Sequence, residues 1–374
     1  MALKHSPSGK LRTMRYIGSK ENLLGFLDSI VAAQGFTEGT FCDLFAGTTT
    51  VGRHFKRRGF RVLSNDLMHY SFVFGKAYLE NNAPPTFAGL ELPRRATLFD
   101  LDTDPLMQAL DHLNRLPPES GFMFQNYCDV GTVNQEHQRM YFSAANAGKI
   151  DAVRNQIEQW HDRQVITEGE FYVLLASLLE AVPSVSNTTG TYAAFLKFWE
   201  SRSQKPLTLA VPHVITSHLD HEVYRGNAND LIGRIECDVL YLDPPYNSRQ
   251  YAPNYHILET VAKWDAPSIY GKSGLRPYKE EKSEYCQKDT AIQALRAVVC
   301  QAQCDLLLLS YNSEGIMPHE EICSVLSERG SLTVAEQDYR RFRSDSDHAK
   351  RQYKTDKHVI ERVYVLRMER ETIC

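Results

Sequence analysis

Short hydrophobic runs alternate with amphipathic stretches along most of the chain. The runs at 40–45, 60–64, 238–242 and 305–311 are rich in β-forming residues and end at polar or glycine-containing corners, which is typical of buried strands. Between them, hydrophobic residues recur three or four positions apart, as on the buried face of a helix. Alternating strands and helices predict an open α/β sheet, in which ligands bind where the strands end.

The middle of the chain departs from this alternation. Prolines break the segment 82–133 repeatedly, so we predict irregular structure with little regular sheet there. In 134–203 the hydrophobic residues fall on helical faces, which predicts a helical block. We therefore predict a sheet domain made of residues 14–82 and 205–370, interrupted by a mainly helical insertion at 83–204 whose place across the sheet suggests a lid or a module for recognition of the target. Simple packing helices would explain the hydrophobic positions of the insertion equally well.

The composition is that of an ordinary globular protein. The 374 residues are 43% hydrophobic and 24% charged, values typical of globular domains. No hydrophobic run approaches membrane-spanning length, and the segment from Met1 to Lys10 lacks a signal-peptide core. The eight cysteines include no Cys-x-x-Cys pair, so we expect a reduced, cytoplasmic protein with no membrane partner and no structural metal.

Positive charge is concentrated in two segments, although the net charge is −4. We expect the cluster at 53–61 to form a solvated face. The cluster at 340–357 is accompanied by Tyr339, Phe342 and Tyr353, and this mixture of charge and stacking surface is expected near phosphates and bases. This second cluster lies between two further predicted strands, 332–337 and 358–368, as a hairpin-like connection. A solvated face would explain its charges equally well.

The most informative stretch is Asp243-Pro244-Pro245-Tyr246, which directly follows the hydrophobic run at 238–242. Its two prolines end the strand because neither can donate a hydrogen bond to a sheet ladder. The corner leaves a carboxylate, free backbone carbonyls and an aromatic ring at the carboxyl end of a strand, where α/β proteins bind ligands. An ordinary turn is the alternative, but the four residues together favour a site.

A second corner follows the first predicted strand. Residues Asp43 to Gly52 read Asp-Leu-Phe-Ala-Gly-Thr-Thr-Thr-Val-Gly and lead into a basic helix, and such a turn offers backbone N–H groups to a ligand. The next predicted strand ends in Asn65-Asp66, which supplies the acidic residue that a site for ribose hydroxyls needs. Asp66 alone would more often cap a helix, but together with the glycine turn it favours a nucleoside-containing cofactor.

The order of these elements resembles a known family. Tyr16-Ile17-Gly18-Ser19-Lys20, the glycine turn, Asn65-Asp66 and the Asp-Pro-Pro-Tyr corner follow one another as in Dam-like (D12-class) adenine-N6 DNA methyltransferases of restriction–modification type. The run 243–251 and Ser310-Tyr311-Asn312 are similar to FokI-type modification methylases. The resemblance implies a Rossmann-like S-adenosylmethionine-dependent methyltransferase sheet with a helical insertion. It also implies site-specific methylation of N6 of a flipped-out adenine in double-stranded DNA, and leaves open a cognate restriction endonuclease as partner.

The resemblance further assigns roles to single residues. Those implied in binding S-adenosylmethionine are Tyr16 and Lys20 at its methionine part, Asp43, Phe45 and Gly47 at its binding turn, Asp66 at its ribose, and Asp243 where donor and acceptor meet. In catalysis, Asp243 and the carbonyl of Pro244 would accept the two N–H bonds of the adenine amine, while Tyr246 stacks on the flipped base. This chemistry needs no metal and no covalent intermediate.

One position departs from the family pattern Phe-x-Gly-x-Gly. Thr49 occupies the second glycine position, which would put a Cβ and a hydroxyl close to the expected cofactor site. We expect the backbone to tolerate Thr49 if its φ is negative. The alternative outcome is a weaker affinity for the cofactor.

Other functions compete with adenine methylation. A methyltransferase of cytosine N4, of RNA adenine or of a glutamine side chain could use a similar corner, although the acidic first residue and the motif order favour DNA adenine. A catalytically silent DNA-binding module could keep the fold, but Asp243 and Tyr246 are both intact. A nicotinamide dehydrogenase is disfavoured because the chain lacks a Gly-x-Gly-x-x-Gly turn.

Overall fold

The computed structural model describes residues 20–92, 104–340 and 358–369. Its strands are β1 Thr40–Asp43, β2 Arg61–Asp66, β3 Glu222–Arg225, β4 Val239–Leu242, β5 Leu306–Asn312, β6 Gly330–Arg340 and β7 His358–Met368. They form one seven-stranded sheet in the order β3-β2-β1-β4-β5-β7-β6. Strands β1 to β5 are parallel, and β7 is antiparallel to both of its neighbours. The predicted α/β fold is confirmed.

The described residues contain eleven α-helices. These are α1 Leu24–Ala33, α2 Thr50–Arg57, α3 His69–Gly75, α4 Pro105–Arg115, α5 Phe122–Tyr127, α6 Ala144–Asp162, α7 Glu168–Ala181, α8 Ala228–Leu231, α9 Tyr251–Lys263, α10 Lys288–Gln301 and α11 His319–Ser327. A 3-10 turn at Glu21–Leu23 leads into α1, and a π-helical turn at Lys76–Glu80 follows α3. Within the described ranges, no helix combines the length and the hydrophobicity needed to cross a membrane.

Hydrophobic residues on the two faces of the sheet build two separate cores. Alternate residues of a strand point to opposite faces, so Phe41 and Cys42 of β1 belong to different cores. One core includes α1 and α2, and the other includes α8, α10 and α11. All four residues of β4 are buried, which explains why this central strand is an unbroken hydrophobic run in the sequence.

The chain changes direction across the sheet between β1 and β4. Strands β2 and β3 lie on one side of β1, whereas β4 and the strands after it lie on the other side. β1 and β4 are themselves adjacent and parallel, with Asp43 paired to Tyr241. Their carboxyl ends therefore form the topological switch point, where open α/β sheets bind ligands. The two corners at 43–52 and 243–246 both lie there.

The helices α4 to α7 of the insertion form a third core together with α3 and α9. A capping box starts α7, because the Thr167 side chain accepts a hydrogen bond from the Glu170 N–H and the Glu170 side chain accepts one from the Thr167 N–H. Because α3 and α9 flank the strands β2 and β4 in the chain, this shared core fixes the insertion against the sheet. The division at 83–204 and its role in target recognition stay predictions.

Two regions differ from what the sequence predicts. The segment 82–133 is less irregular than expected, since it contains α4 and α5. Pro105 starts α4 instead of breaking it, because a proline in the first helical turn loses no hydrogen bond, and Asp104 caps the helix by accepting from the Leu106 N–H at 2.9 Å. Strand β3 is not among the runs predicted as strands, because this edge strand has no fully buried residue and hence no hydrophobic run.

The first basic cluster, at 53–61, is only in part the solvated face that we expected: Arg57 and Arg58 are exposed, whereas Arg53 and Lys56 are buried. The Arg53 guanidinium lies 3.8 Å from the centroid of the Tyr78 ring. Lys56 Nζ donates to the carbonyls of Leu79 and Asn81, each at 2.7 Å, and burial lowers the pKa of Lys56 to about 7. Arg53 thus packs on an aromatic ring, and Lys56 donates hydrogen bonds to carbonyl groups at the end of the π-helical turn. The prediction was wrong for these two residues.

Candidate active site

Asp243 lies directly after β4, where Pro244 and Pro245 end the strand. Its Oδ1 atom is 3.2 Å from Nζ of Lys20. Burial raises the pKa of Asp243 to about 7; the Lys20 ammonium opposes this shift and the nearby Glu361 carboxylate adds to it. The switch point therefore contains a carboxyl group that changes its charge near neutral pH.

Lys20 lies between two carboxylates, those of Asp243 and Glu361. Burial alone would lower the pKa of the Lys20 ammonium, but the two carboxylates hold it above its ordinary value. Lys20 is therefore a permanent positive charge beside Asp243. Its predicted contact with the methionine part of a cofactor stays a prediction.

The glycine turn after β1 is held in place by residues of β2 and its end. The Ala46 N–H donates to the carbonyl of Asn65 at 2.9 Å, and the Gly47 N–H donates to Asp66 Oδ2 at 2.8 Å. Gly47 has a φ of 53°, a left-handed conformation that glycine adopts without strain. Asp66 also accepts from the Met68 N–H at 2.8 Å. Burial raises the pKa of Asp66 to about 6, against the effect of these two N–H groups.

Asp43 is the last residue of β1, and only 1% of its surface is exposed. Neither of its carboxylate oxygens accepts a hydrogen bond of ordinary geometry among the described residues, although the N–H groups of Phe45 and Gly52 lie close enough to act on its charge. Burial raises the pKa of Asp43 to about 8, and the charges of Asp243 and Asp66 add to this shift. Because an unpaired buried carboxyl group is costly, its position favours a ligand that brings a cation or a hydrogen-bond donor.

Both corners line one cleft, whose volume is about 1120 Å³ with the solvent at its mouth included. The predicted cofactor residues in its lining are Lys20, Asp43, Phe45, Gly47, Asp66 and Asp243. Further walls come from Asn227 and the segment 280–285. The ring of Tyr285 in this segment meets Phe45 edge to face, with 5.1 Å between the centroids. Six predicted residues from distant parts of the chain are thus brought together.

Two other predicted site residues, Pro244 and Tyr246, are described and do not line this cleft. Pro244 is buried, and Tyr246 is partly buried and packs against the core that includes α10. Tyr16 lies outside the described residues, as does most of the basic cluster at 340–357. The roles implied for these residues stay predictions.

Thr49 differs from what we expected in two ways. Its φ is 58°, so the negative φ that would make threonine acceptable is not found, and the backbone has the left-handed conformation that favours glycine. Its side chain is buried and absent from the lining of the cleft, whereas Thr48 and Thr50 do line it. Thr49 therefore strains the backbone of the turn, but its side chain does not narrow the cleft.

The variant Thr49→Gly is expected to change the dissociation constant of the cofactor by less than about threefold, or about 0.6 kcal/mol. Relief of the left-handed backbone is worth about 1–2 kcal/mol, and loss of the buried side chain removes a similar amount, so the melting temperature should move little. Titration calorimetry with S-adenosylmethionine and thermal melting measure both quantities. A clear loss of affinity would show that the Thr49 side chain shapes the cleft.

Sequence reasoning missed Glu361, which is the second carboxylate beside Lys20. It accepts a hydrogen bond from Ser310 Oγ at 3.0 Å. Glu361 lies at the same parity along β7 as Val363 and Val365, which belong to the core on the α1 and α2 face. A carboxylate at a core position of a strand is the signal that could have revealed it.

The strand order and the two corners at the switch point define a Rossmann-like methyltransferase. A family model described as D12 class N6 adenine-specific DNA methyltransferase matches residues 16–325. The chain belongs to this family. The family, the fold class and the enzyme class predicted from the sequence are confirmed.

Curated relatives support the same assignment. The chain is 39% identical to the type II methyltransferase M.FokI of Planomicrobium okeanokoites over 336 residues, which are 88% of this chain and 50% of that protein. It is 39% identical to the type II methyltransferase M.NlaIII of Neisseria lactamica over 335 residues, 89% of this chain and 93% of that protein. It is 31% identical to the type II methyltransferase M.CviAII of Paramecium bursaria Chlorella virus 1 over 332 residues, with 88% and 92% covered. The chain thus spans about half the length of M.FokI and most of the other two.

Proposed function

We propose that this protein transfers a methyl group from S-adenosylmethionine to N6 of an adenine in double-stranded DNA, after the base has been flipped out of the helix. The observation that supports it most is the position of Asp243, a carboxylate held at Oδ1 by Lys20 in a cleft that the glycine turn also lines. Flipping is required because the reacting amine is inaccessible to an enzyme inside the stacked duplex.

S-adenosylmethionine fits the chemistry of the cleft. When bound, it supplies an electrophilic methyl group on a positively charged sulfonium. Its ammonium group and ribose hydroxyls are hydrogen-bond donors, and the cleft offers the carboxylates of Asp43, Asp66 and Asp243. In the described part of the chain Asp43 has no partner of its own, so a cation with donors would satisfy it and reduce the repulsion among the three.

Within the cleft we assign Asp43 to the ammonium group, Asp66 to the ribose, and Phe45 with Gly47 to the turn against which the cofactor packs. Asp66 has the capacity for this role, because a carboxylate accepts about four hydrogen bonds and two backbone N–H groups use only part of that number. We assign Lys20 and Tyr16 to the methionine part of the cofactor.

Asp243 and Pro244 prepare the adenine amine for reaction. This amine is a weak nucleophile because its lone pair is delocalised into the ring. When Asp243 Oδ2 and the Pro244 carbonyl accept its two N–H bonds, the nitrogen becomes more tetrahedral and its lone pair is aimed along the line of transfer. With its pKa raised to about 7, Asp243 is also suited to take the proton that the amine loses.

DNA recognition is assigned to parts of the chain outside the cleft. The helical insertion at 83–204 shares its core with α9, the helix that follows the Asp-Pro-Pro-Tyr corner, so a target held by the insertion would lie near Asp243. We assign the basic segment 340–357 to phosphate contacts. Because relatives are named type II methyltransferases and a modification methylase, we propose a cytoplasmic enzyme paired with a cognate restriction endonuclease.

The test is transfer of a labelled methyl group from S-adenosylmethionine to duplex DNA, followed by digestion to nucleosides. The expected product is N6-methyladenine. Label on cytosine N4, or on RNA alone, would contradict the proposed substrate. Failure to bind S-adenosylmethionine in a titration would instead indicate a catalytically silent DNA-binding module.

Tyr246→Ala is expected to lower kcat by about 5- to 150-fold, because stacking of a base on an aromatic ring is worth about 1–3 kcal/mol. Tyr246→Phe keeps the ring and should retain most of the activity. Single-turnover methylation of duplex DNA compares the two variants. Equal losses in both would show that the hydroxyl group, and not stacking, explains the role of Tyr246.

A further inference from the structure

A chain of buried polar side chains lies behind the Asp-Pro-Pro-Tyr corner and ends at Glu361. The Glu361 carboxylate accepts a hydrogen bond from Ser310 Oγ at 3.0 Å and forms an ion pair with Lys20. Lys20 in turn lies 3.2 Å from Asp243 Oδ1. The side chains of Lys20 and Glu361 are 7% and 5% exposed, so water screens neither charge effectively.

The sheet fixes the position of Glu361. In the antiparallel pairing of β5 with β7, Ser310 lies opposite Val363, which makes Glu361 its diagonal neighbour on the same face. Glu361 lies beyond residues 16–325, which the family model matches, and it is not among the residues that line the cleft. Any effect on the reaction must therefore pass through Lys20 or through the charge that Glu361 places near Asp243.

Neutralising Lys20 does not by itself require Glu361. One carboxylate, that of Asp243, balances one ammonium group, whereas a second leaves this buried cluster with an excess negative charge whenever Asp243 is ionised. Such an excess is costly to bury, and it opposes the effect of Lys20, because Glu361 adds to the upward pKa shift of Asp243 that burial begins. A purely structural ion pair would not need this arrangement.

We propose that Glu361 is a positioning residue that acts through Lys20 on Asp243. It shares the ammonium group with Asp243, so that Lys20 fixes Oδ1 and leaves Oδ2 available to the adenine amine. The inference rests on the proposed role of Asp243 in methyl transfer. It adds Glu361, a residue of β7, to the residues that position the Asp243 carboxylate for the reaction.

Removal of the Glu361 charge would leave Asp243 as the only carboxylate partner of Lys20. The closer pairing would lower the pKa of Asp243 and make its oxygens poorer acceptors for the amine. Among the described residues, the charged and titratable groups that act on Asp243 are Lys20, Glu361, Asp43 and the Tyr241 hydroxyl. Only one of these changes in Glu361→Gln, so a shift in the titration of Asp243 reports on this residue.

The experiment compares Glu361→Gln with the wild-type protein in methylation of duplex DNA, with kcat measured from about pH 5 to about pH 9. Glutamine keeps the shape of the side chain and its ability to accept from Ser310. We expect kcat to fall about 10-fold, and its acid limb to move to lower pH by about one unit, because Asp243 loses its proton more readily. The KM for DNA and the Kd for S-adenosylmethionine should stay close to the wild-type values.

Glu336→Gln is the matched control. Glu336 lies on β6 and pairs with Arg362, which follows Glu361 in β7 and therefore points to the opposite face of the sheet. Because this pair is exposed to solvent and the described ion pairs of Lys20 are those with Asp243 and Glu361, its loss should leave both kcat and the pH profile unchanged.

An unchanged pH profile in Glu361→Gln, with or without a loss of kcat, would overturn the inference, since a structural role alone does not move the titration of Asp243.

If Glu361→Gln fails to fold, Ser310→Ala decides. This variant removes one hydrogen bond to Glu361 and is expected to shift the profile in the same direction by a smaller amount; no shift would overturn the inference. Absence of methylation by the wild-type protein would refute the proposed function instead, so the two failures are distinguishable.

Discussion

Asp243→Asn is expected to lower kcat for adenine methylation by about 10²- to 10³-fold, the loss typical when a group that stabilises transition-state charge is removed. Asparagine has the same shape, but it lacks the negative charge that accepts the N–H bonds of the amine. Lys20 makes the loss worse. Its ammonium group can only donate, so it would hold the amide oxygen and leave the amide NH2 facing the adenine amine, donor against donor.

Single-turnover methylation measures this loss, and thermal melting together with titration of S-adenosylmethionine shows whether the fold and the cofactor site persist. Asp238→Asn is the matched control, since Asp238 directly precedes β4 whereas Asp243 directly follows it. Asp238 Oδ2 accepts a hydrogen bond from the Thr40 N–H at 2.6 Å. It should retain methylation. Activity of Asp243→Asn within about tenfold of the wild-type protein, or about 1.4 kcal/mol, would refute the assigned role.

The two corners of the site could be predicted from the sequence because their physics is local. A hydrophobic run followed by two prolines must end a strand, and an acidic residue before those prolines must lie at its carboxyl end. The glycine turn and Asp66 are likewise set by the elements that directly precede them. The structure brings Asp243, Gly47 and Asp66 to one cleft because β1, β2 and β4 are neighbours in the sheet.

Other parts of the site depend on contacts that no local pattern reveals. Lys20 and Glu361 are separated by 341 positions in the chain, and their pairing follows only from the place of β7 beside β5. The left-handed φ of Thr49 was not predictable from its side chain, because β-branched residues rarely adopt it. The edge strand β3 contains no hydrophobic run from which it could be predicted. It is defined by its pairing with β2, which is a non-local contact.

The charge balance of the cleft follows from these non-local contacts. Three aspartates at the strand ends line it, and each has a different environment: Asp243 is paired with Lys20, Asp66 accepts two backbone N–H groups, and Asp43 accepts no hydrogen bond of ordinary geometry in the described ranges. The protein alone thus leaves one acidic group unsatisfied. In the absence of a ligand, this unsatisfied group lowers the stability of the folded protein. Binding of a cation would restore that stability.

Asp43→Asn therefore has two opposite expected effects. The dissociation constant for S-adenosylmethionine should rise about 10- to 150-fold, since a hydrogen bond to a charged group is worth about 1.5–3 kcal/mol. The ligand-free protein should become more stable where the wild-type carboxyl group would ionise, because asparagine cannot acquire a charge in this buried position. Titration calorimetry and thermal melting of the ligand-free protein measure the two effects separately.

The gain in stability should depend on pH in a defined direction. The pKa of Asp43 in the folded protein is raised to about 8 from an ordinary value of 3.8. Between these values the folded state keeps a proton that the unfolded state has lost, so this carboxyl group makes the wild-type protein less stable as pH rises from about 4 to about 8. Asparagine cannot lose a proton. The melting temperature of Asp43→Asn should therefore exceed that of the wild-type protein by more at pH 8 than at pH 5.

Asp151→Asn provides the contrast. Asp151 is equally buried, but its oxygens accept from the N–H groups of Gly121, Met123 and Phe124 at 3.1, 2.8 and 2.8 Å. The amide of asparagine would turn a donor toward one of these donors, so this variant should melt at a lower temperature and bind S-adenosylmethionine normally. If Asp43→Asn also lowers the melting temperature, or leaves cofactor affinity intact, Asp43 is not the unsatisfied acceptor that the cofactor completes.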